Sequence, residues 1–209
     1  MTALVLVFGE DDNDREAVCH LARALCPGVC LAKRRSPLVL TKGRAEAEAR
    51  KQASRIAAVV RAERIRSEIP LVLAHEDCDA VEPAHEALAD RIEGNLSREG
   101  IPCVAVTPAF EIEAWWFLWP RAVTAVKSHW RDPGQQGREV GLIVDAKEAL
   151  RHALRKPGGD RRHDYKESDS PKIAAKVGEL ELVDQPQARS ASFARFATKL
   201  RVALRDGEK

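Results

Sequence analysis

A group of acidic residues follows a short apolar run in the first half of the chain. Residues 71–74 (LVLA) are apolar, and they are followed by His75, Glu76, Asp77 and Asp79. Carboxylates this close repel each other unless a proton or a cation lies between them. A hard divalent cation such as Mg²⁺, held by carboxylates, water and phosphate, would relieve that repulsion. The alternative interpretation is an exposed acidic turn that caps the next helix.

The apolar runs of the chain predict where these acids lie. Continuous apolar runs occupy residues 3–8, 71–74 and 102–106, and segments with helical spacing of apolar residues separate them. Apolar strands that alternate with helices are typical of a parallel sheet covered by helices on both faces. We therefore expect a Rossmann-like α/β fold of at least four parallel strands, whose shared edge is the usual place for a ligand.

The remaining elements follow from local signals. The second strand lies at residues 29–32 or 37–40, and the sequence leaves this choice open. Asp12 or Asn13 can cap the first helix, and Ser190 or Ser192 the last. Later helices are predicted at residues 44–66, 83–97, 109–118, 122–130, 145–154, 170–177 and 192–204. Residues 1–120 are expected to form the α/β core, and residues 121–209 a helical extension packed on the same domain.

Acidic residues follow each of the three clearest predicted strands. Glu10 comes after the first strand and a glycine, and the third strand leads to Asp77 and Asp79. The fourth strand leads to Glu111 and Glu113. Because parallel strands end at the same edge of a sheet, these carboxylates could converge there.

This pattern resembles the TOPRIM domain, in which a strand followed by Glu precedes a strand followed by Asp-x-Asp. Glu10, Asp77 and Asp79 match that core pattern. The similarity is closest to OLD-type nucleases and their small stand-alone relatives. Those proteins often carry Glu-Gly-x-Thr-Asp/Glu after the first strand, which Glu10 and Asp14 match, and Glu-x-x-Trp after the fourth, which residues 111–116 (EIEAWW) resemble.

The resemblance implies a metal-dependent nuclease, or a related phosphoryl-transfer enzyme, that acts on DNA or RNA. It implies that Glu10 is a general acid or base, or a ligand of a second metal. Asp77 and Asp79 would hold Mg²⁺ or Mn²⁺, and Glu113 could complete the metal shell. His75 could tune the metal, although a packed histidine at a strand end is the alternative. The alternative function is a non-catalytic TOPRIM-like binding module, the partner subunit of an ATPase in a defence or repair system.

Basic residues are concentrated beside the acidic region, although the formal net charge of the 209 residues is only +2. Residues 31–66 contain eleven Lys or Arg and three acids, whereas residues 71–113 contain ten acids and two Arg. A basic surface beside an acidic metal site suits a nucleic acid. The candidate phosphate contacts are Arg50, Lys51, Arg55, Arg161, Arg162 and Lys166. A solvated helix face and a mobile loop are the alternatives.

Cysteine content and hydropathy bear on the compartment. The five cysteines are odd in number and fit no zinc-binding spacing, which favours free thiols in a reducing cytosol. No signal peptide is evident, and no apolar run approaches the roughly 20 residues that a transmembrane helix needs. We therefore expect a cytoplasmic protein without a membrane partner.

Overall fold

Four short strands form one parallel sheet in a computed structural model of the protein, which describes residues 3–35, 45–158 and 160–206. The strands are β1 (Val5–Phe8), β2 (Leu31–Lys33), β3 (Val72–His75) and β4 (Cys103–Val106). Their order across the sheet is β2-β1-β3-β4, and every pairing is parallel. The carboxyl ends of β1 and β3 therefore lie side by side at the centre of one edge.

Helices connect the strands and continue beyond the sheet. The described α-helices are α1 (Asp12–Leu25), α2 (Glu46–Glu63), α3 (Ala84–Arg98), α4 (Glu113–Trp116), α5 (Pro120–Val126), α6 (Ala146–Leu154), α7 (Ser170–Glu179) and α8 (Ala191–Asp206). Single 3-10 turns lie at Val140–Leu142, Arg161–His163 and Glu167–Asp169. In the described segments, no helix is both long enough and apolar enough to cross a bilayer.

Alternate residues of the strands point into two separate cores. One core joins Val5, Val7 and Leu73 to α1 and to the C-terminal helices α7 and α8. The other joins Leu6 and Val72 to α2 and α3. Because both faces of the sheet are covered, the strands carry apolar side chains on both sides and read as continuous apolar runs. The predicted α/β sheet with helices on both faces is confirmed.

The C-terminal helices pack against the sheet domain through aromatic side chains. Trp115 stacks on Phe196 with ring centroids 5.7 Å apart and meets Phe193 edge-on at 5.3 Å. Trp119 contacts Phe193 at 4.8 Å. The indoles of Trp115 and Trp119 are buried, so they stabilise the packing of α8.

Several predicted boundaries need correction, among them the helix predicted at residues 122–130, which the structure places at Pro120–Val126. β2 overlaps the first of the two predicted alternatives, and residues 37–40 lie outside the described residues. Helix α2 is shorter than the predicted 44–66, of which residue 44 also lies outside the described residues. The cap of α1 is Asp11, not Asp12 or Asn13, because its Oδ1 accepts a hydrogen bond of 2.9 Å from the backbone N–H of Asp14.

The predicted helix at residues 109–118 is mostly wrong, since α4 is a single turn. Phe110 takes a left-handed φ of 59° and donates its backbone N–H to the carbonyl of Ala80 at 2.8 Å. The N–H of Asp79 in turn donates to the carbonyl of Phe110 at 2.9 Å. These bonds tie the segment after β4 to the loop after β3, so its backbone groups are satisfied without a helix.

Glu82 joins the loop after β3 to the start of α8. Its carboxylate accepts hydrogen bonds from the Ser190 hydroxyl at 2.8 Å and from the backbone N–H groups of Ala191 and Ser192 at 3.0 and 2.8 Å. Gly141 lets this side chain pass, because a Cβ at that position would overlap the carboxyl group of Glu82. The predicted cap Ser190 also accepts from the N–H of Phe193 at 3.3 Å.

Replacing Glu82 with Ala should lower the free energy of unfolding by about 2 kcal/mol, because several hydrogen bonds to a charged group are lost at a helix start. Urea denaturation at pH 7 measures this difference. The control is Glu86→Ala, an exposed acid in the first turn of α3, which should change stability by less than about 0.5 kcal/mol. Equal effects of the two substitutions would contradict this account of Glu82.

Candidate metal centre

Asp14, His75 and Asp77 come together at the carboxyl edge of the sheet. His75 is the last residue of β3, and Asp14 lies in the first turn of the helix that follows β1. The Nε2 atom of His75 is 3.3 Å from Oδ1 of Asp77, and its Nδ1 atom is 3.9 Å from Oδ2 of Asp14. One ligand atom from each residue lies within 4.8 Å of the other two. Two carboxylates and an imidazole so arranged can hold a metal ion.

The imidazole of His75 is fully buried, with a side-chain exposure of 0%. Neither of its nitrogens makes a hydrogen bond to a group in the described part of the chain, although Asp77 is near enough to attract it. Gly9 leaves room for the ring, since a Cβ there would lie 3.4 Å from Nδ1. Leaving a buried polar group unpartnered costs about 1–3 kcal/mol, which a bound cation would offset.

Backbone hydrogen bonds hold the two carboxylates in place. Oδ1 of Asp77 accepts the N–H of Ile112 at 3.1 Å, so the segment after β4 fixes the acid that follows β3. The Asp11 cap sets the start of α1 and thereby the position of Asp14. Arg15 strengthens this start by donating to the carbonyl of Gly9 at 2.9 Å. The positive end of the helix dipole also favours a carboxylate at Asp14.

Burial and neighbouring charges shift the pKa values of the cluster in a coupled way. Burial raises the pKa of Asp14 to about 7, with His75 opposing the shift and Asp77 adding to it. For His75 burial lowers the pKa, but the carboxylates of Asp14 and Asp77 outweigh it, and the pKa rises to about 9. Without a metal, the protonated ring is therefore the counter-ion of the acids at neutral pH.

A second group of ionisable residues adjoins Asp77. Burial, and then the charge of Asp77, raise the pKa of Glu113 to about 8, while Lys147 lowers it. The hydroxyl of Tyr165 donates to Oε1 of Glu113 at 3.0 Å. The Nζ atom of Lys147 is 3.4 Å from Oε1 of Glu111, and its backbone N–H donates to Oε2 of the same residue at 2.9 Å. The site thus includes a protonated carboxyl and a cation.

The predicted ligands occupy different positions around this centre. Asp77 belongs to the three-residue cluster, whereas Glu10, Asp79 and Glu113 are not members of it in the described part of the chain. Glu10 is exposed, and its charge acts on the pKa values of Asp14 and His75. Asp79 is exposed and takes a left-handed φ of 51°. This turn breaks the alternation that would have aligned Asp79 with Asp77.

Asp14 is not among the ligands predicted from the sequence. For His75 the sequence allowed either a role beside the metal or simple packing at the strand end. A signal for Asp14 existed, because it lies four residues after Glu10 and matches an acid of the resembling nucleases. For His75 the position directly after a buried strand was the available signal. Its role depends on burial between two carboxylates, which spacing alone does not reveal.

The predicted nucleic-acid contacts lie on two elements. On α2, Arg50, Lys51 and Arg55 are exposed, and Nε of Arg50 is 3.1 Å from Oε1 of Glu46. In the loop after α6, Arg162 pairs with Asp160 at 2.6 Å, and the backbone N–H of Lys166 donates to Oδ2 of Asp169 at 3.1 Å. The side chain of Arg161 lies outside what the structure describes. This loop reaches the centre through Tyr165, the hydrogen-bond donor to Glu113.

Comparisons with known proteins assign no family to the chain. No protein-family model matches it, and searches of curated proteins and of solved structures find no match. The TOPRIM resemblance therefore stays a prediction. The function has to be argued from the geometry of the cluster.

Removing either carboxylate of the cluster should weaken metal binding. We expect Asp14→Asn and Asp77→Asn each to weaken Mn²⁺ binding by about 100-fold, the upper end of what loss of a ligand's partner costs. Asp79→Asn is the matched control and should change the affinity by less than about threefold, since Asp79 lies outside the cluster. Isothermal titration calorimetry measures all three. A larger loss in Asp79→Asn than in Asp14→Asn would favour the sequence-based ligand set.

The two histidines His75 and His20 should titrate on opposite sides of neutrality in the metal-free protein. We expect the imidazole of His75 to have a pKa of about 9, and burial keeps the pKa of His20 below its usual value. Nitrogen NMR of the histidine rings measures both. Because the folded pKa of His75 exceeds its unfolded value of about 6.5, its contribution to stability is full below pH 6.5 and is lost as pH rises through 9. A pKa of His75 below 6.5 would contradict the charge balance described here.

Proposed function

We propose that this protein is a metal-dependent nuclease, or a related phosphoryl-transfer enzyme, that acts on nucleic acid. The observation that carries the proposal is the meeting of Asp14, His75 and Asp77 at the sheet edge where open α/β sheets bind ligands. The unpartnered nitrogens of the buried ring support a cation there. Two partly buried acids beside a fully buried ring are costly to maintain, so a ligand-binding role is favoured over a purely structural one.

The chemistry of the donor set fits a divalent metal, and we propose Mg²⁺ or Mn²⁺. Asp14, His75 and Asp77 would hold the ion, with Glu10 and Glu113 at the rim of the same centre. When bound, such an ion stabilises the charge that develops on a phosphodiester and makes water more acidic. The buried position of the ring and the bond from Ile112 to Asp77 keep the donors in place before a substrate arrives.

Other residues of the centre can transfer protons and bind phosphate. Glu10 is exposed and close enough to act on Asp14 and His75, so its carboxylate can accept the proton of an attacking water. Glu113 keeps its proton at neutral pH, and its carboxyl can donate that proton to a leaving oxygen. Lys147 has a raised pKa and stays charged, which suits it to a phosphate oxygen.

Exposed basic side chains support a nucleic acid as the substrate. Arg50, Lys51 and Arg55 present charge along α2, and Arg162 and Lys166 do so in the loop that leads to the centre. Phosphate contacts of this kind give affinity without sequence preference, and that affinity falls as salt rises. The proposal is therefore a nuclease whose specificity comes from shape or strandedness rather than from base edges.

A non-catalytic binding module is the second candidate, and one observation favours it. The ring nitrogens of His75 lie 3.3 Å from Asp77 and 3.9 Å from Asp14, so a ring with a pKa raised to about 9 can pair with these acids without any metal. In that case the cluster would be a structural ion group at the sheet edge. The protein would then serve as a partner subunit, for instance of an ATPase in a defence or repair system.

Cleavage assays separate the two candidates. Supercoiled plasmid DNA and single-stranded RNA are each incubated with the protein and Mn²⁺ or Mg²⁺. We expect metal-dependent cleavage of at least one substrate and a loss of about 100-fold or more in Asp77→Asn. Asp90→Asn is the matched control, because Asp90 is an exposed acid of α3 paired with Arg195. Absence of cleavage by wild-type protein that binds Mn²⁺ would exclude the nuclease and favour the binding module.

A further inference from the structure

The strongest unexplained feature of the centre is a buried ring that is held by packing instead of hydrogen bonds. The ring of His75 is fully buried, and its nitrogens have no hydrogen-bond partner among the described residues. Gly9 packs close to this residue, since a Cβ there would lie 3.3 Å from Cβ of His75. Buried polar atoms are rarely left unpartnered, and those that are often mark the place of an ion or a ligand.

The distances within the cluster suit direct ligation by this ring. Nitrogen and oxygen ligands at about 2.0–2.2 Å from one ion lie roughly 3–4 Å from each other. One ligand atom from each of the three residues lies within 4.8 Å of the other two, whereas the shorter separations, 3.3 Å to Asp77 and 3.9 Å to Asp14, start from different ring nitrogens, Nε2 and Nδ1. Because one ion binds only one nitrogen of the ring, one carboxylate has to move toward that nitrogen to complete a common coordination site for all three residues.

We infer that His75 bonds directly to the metal and that, of the two ions proposed for this centre, the resident one is therefore Mn²⁺, or a similar first-row transition metal, and not Mg²⁺. The inference rests on the proposed function only in that both place a metal ion at Asp14, His75 and Asp77. Mg²⁺ prefers an octahedral shell of oxygen atoms and keeps several waters, so an imidazole gives it little. Imidazole nitrogens bind first-row transition ions well, and carboxylates suit Mn²⁺ among them. The histidine therefore selects the class of ion.

Pulsed electron paramagnetic resonance of the Mn²⁺-loaded protein tests this inference without any measurement of activity. A nitrogen bonded to Mn²⁺ modulates the electron spin echo, and we expect ¹⁴N modulation in the wild-type protein. Labelling its histidines with ¹⁵N should replace the ¹⁴N frequencies with those of ¹⁵N. This arm needs no substitution, so it decides the point even where a variant fails to fold.

Substitution assigns the nitrogen to one residue. In His75→Gln the modulation should disappear and the Mn²⁺ affinity should fall by about 100-fold. His85→Gln is the matched control, because His85 is also buried but lies on α3 outside the cluster. It should keep both the modulation and the affinity. In the wild type, Mn²⁺ should bind at least about tenfold more tightly than Mg²⁺ in competition, as expected for a nitrogen-containing site.

Three results would overturn the inference. They are Mn²⁺ bound without nitrogen modulation, modulation that persists in His75→Gln, and Mg²⁺ that competes with equal affinity. The first would leave His75 as the protonated counter-ion of a site made of carboxylates. Cleavage of DNA or RNA without nitrogen coupling would overturn this inference alone. Nitrogen coupling in a protein that cleaves neither substrate would instead overturn the proposed function alone.

Discussion

Two partly buried carboxylates need a positive charge between them, and the rest of the centre is arranged around that requirement. Asp14, in the first turn of α1, and Asp77, in the loop after β3, approach the same ring, and burial raises the pKa of Asp14 to about 7. The cation is either protonated His75 or a metal that replaces its proton. Both arrangements neutralise the acids: the protonated ring pairs with them directly, whereas a metal binds one ring nitrogen together with the carboxylates. The chemistry of the protein depends on which of the two is present.

Hydrogen bonds connect the loops around the centre and hold its carboxylates in position. The segments after β3 and β4 exchange backbone hydrogen bonds at Asp79 and Phe110, and Ile112 fixes Asp77 from the same segment. Glu82 then anchors the first of these loops to the start of α8, where Gly141 leaves space for it. Donors whose positions are set by the scaffold lose little entropy when an ion binds. The C-terminal helices therefore support the centre as well as covering the sheet.

Most of the sheet could be predicted from the sequence, because strands buried on both faces must be apolar throughout. The same rule brought Asp77 to the sheet edge correctly. It did not predict that Asp79 lies outside the three-residue cluster of the described residues, since the left-handed turn at Asp79 and its bond to Phe110 come from tertiary contacts. The strand rule also did not identify His75 as part of the cluster, because its place there depends on complete burial between two acids. The helix predicted at residues 109–118 is too long for a similar reason, because hydrogen bonds to the neighbouring loop override the local preference for a helix.

The most direct measurement of the central claim is anomalous diffraction from a crystal soaked in Mn²⁺. If the account is right, one anomalous peak lies among the side chains of Asp14, His75 and Asp77, within about 2.0–2.3 Å of a nitrogen of the ring and of an oxygen of each carboxylate. A peak held only by exposed acids such as Glu10 or Asp79, with the ring of His75 unligated, would contradict it. So would a fully soaked crystal that shows no peak at this edge of the sheet.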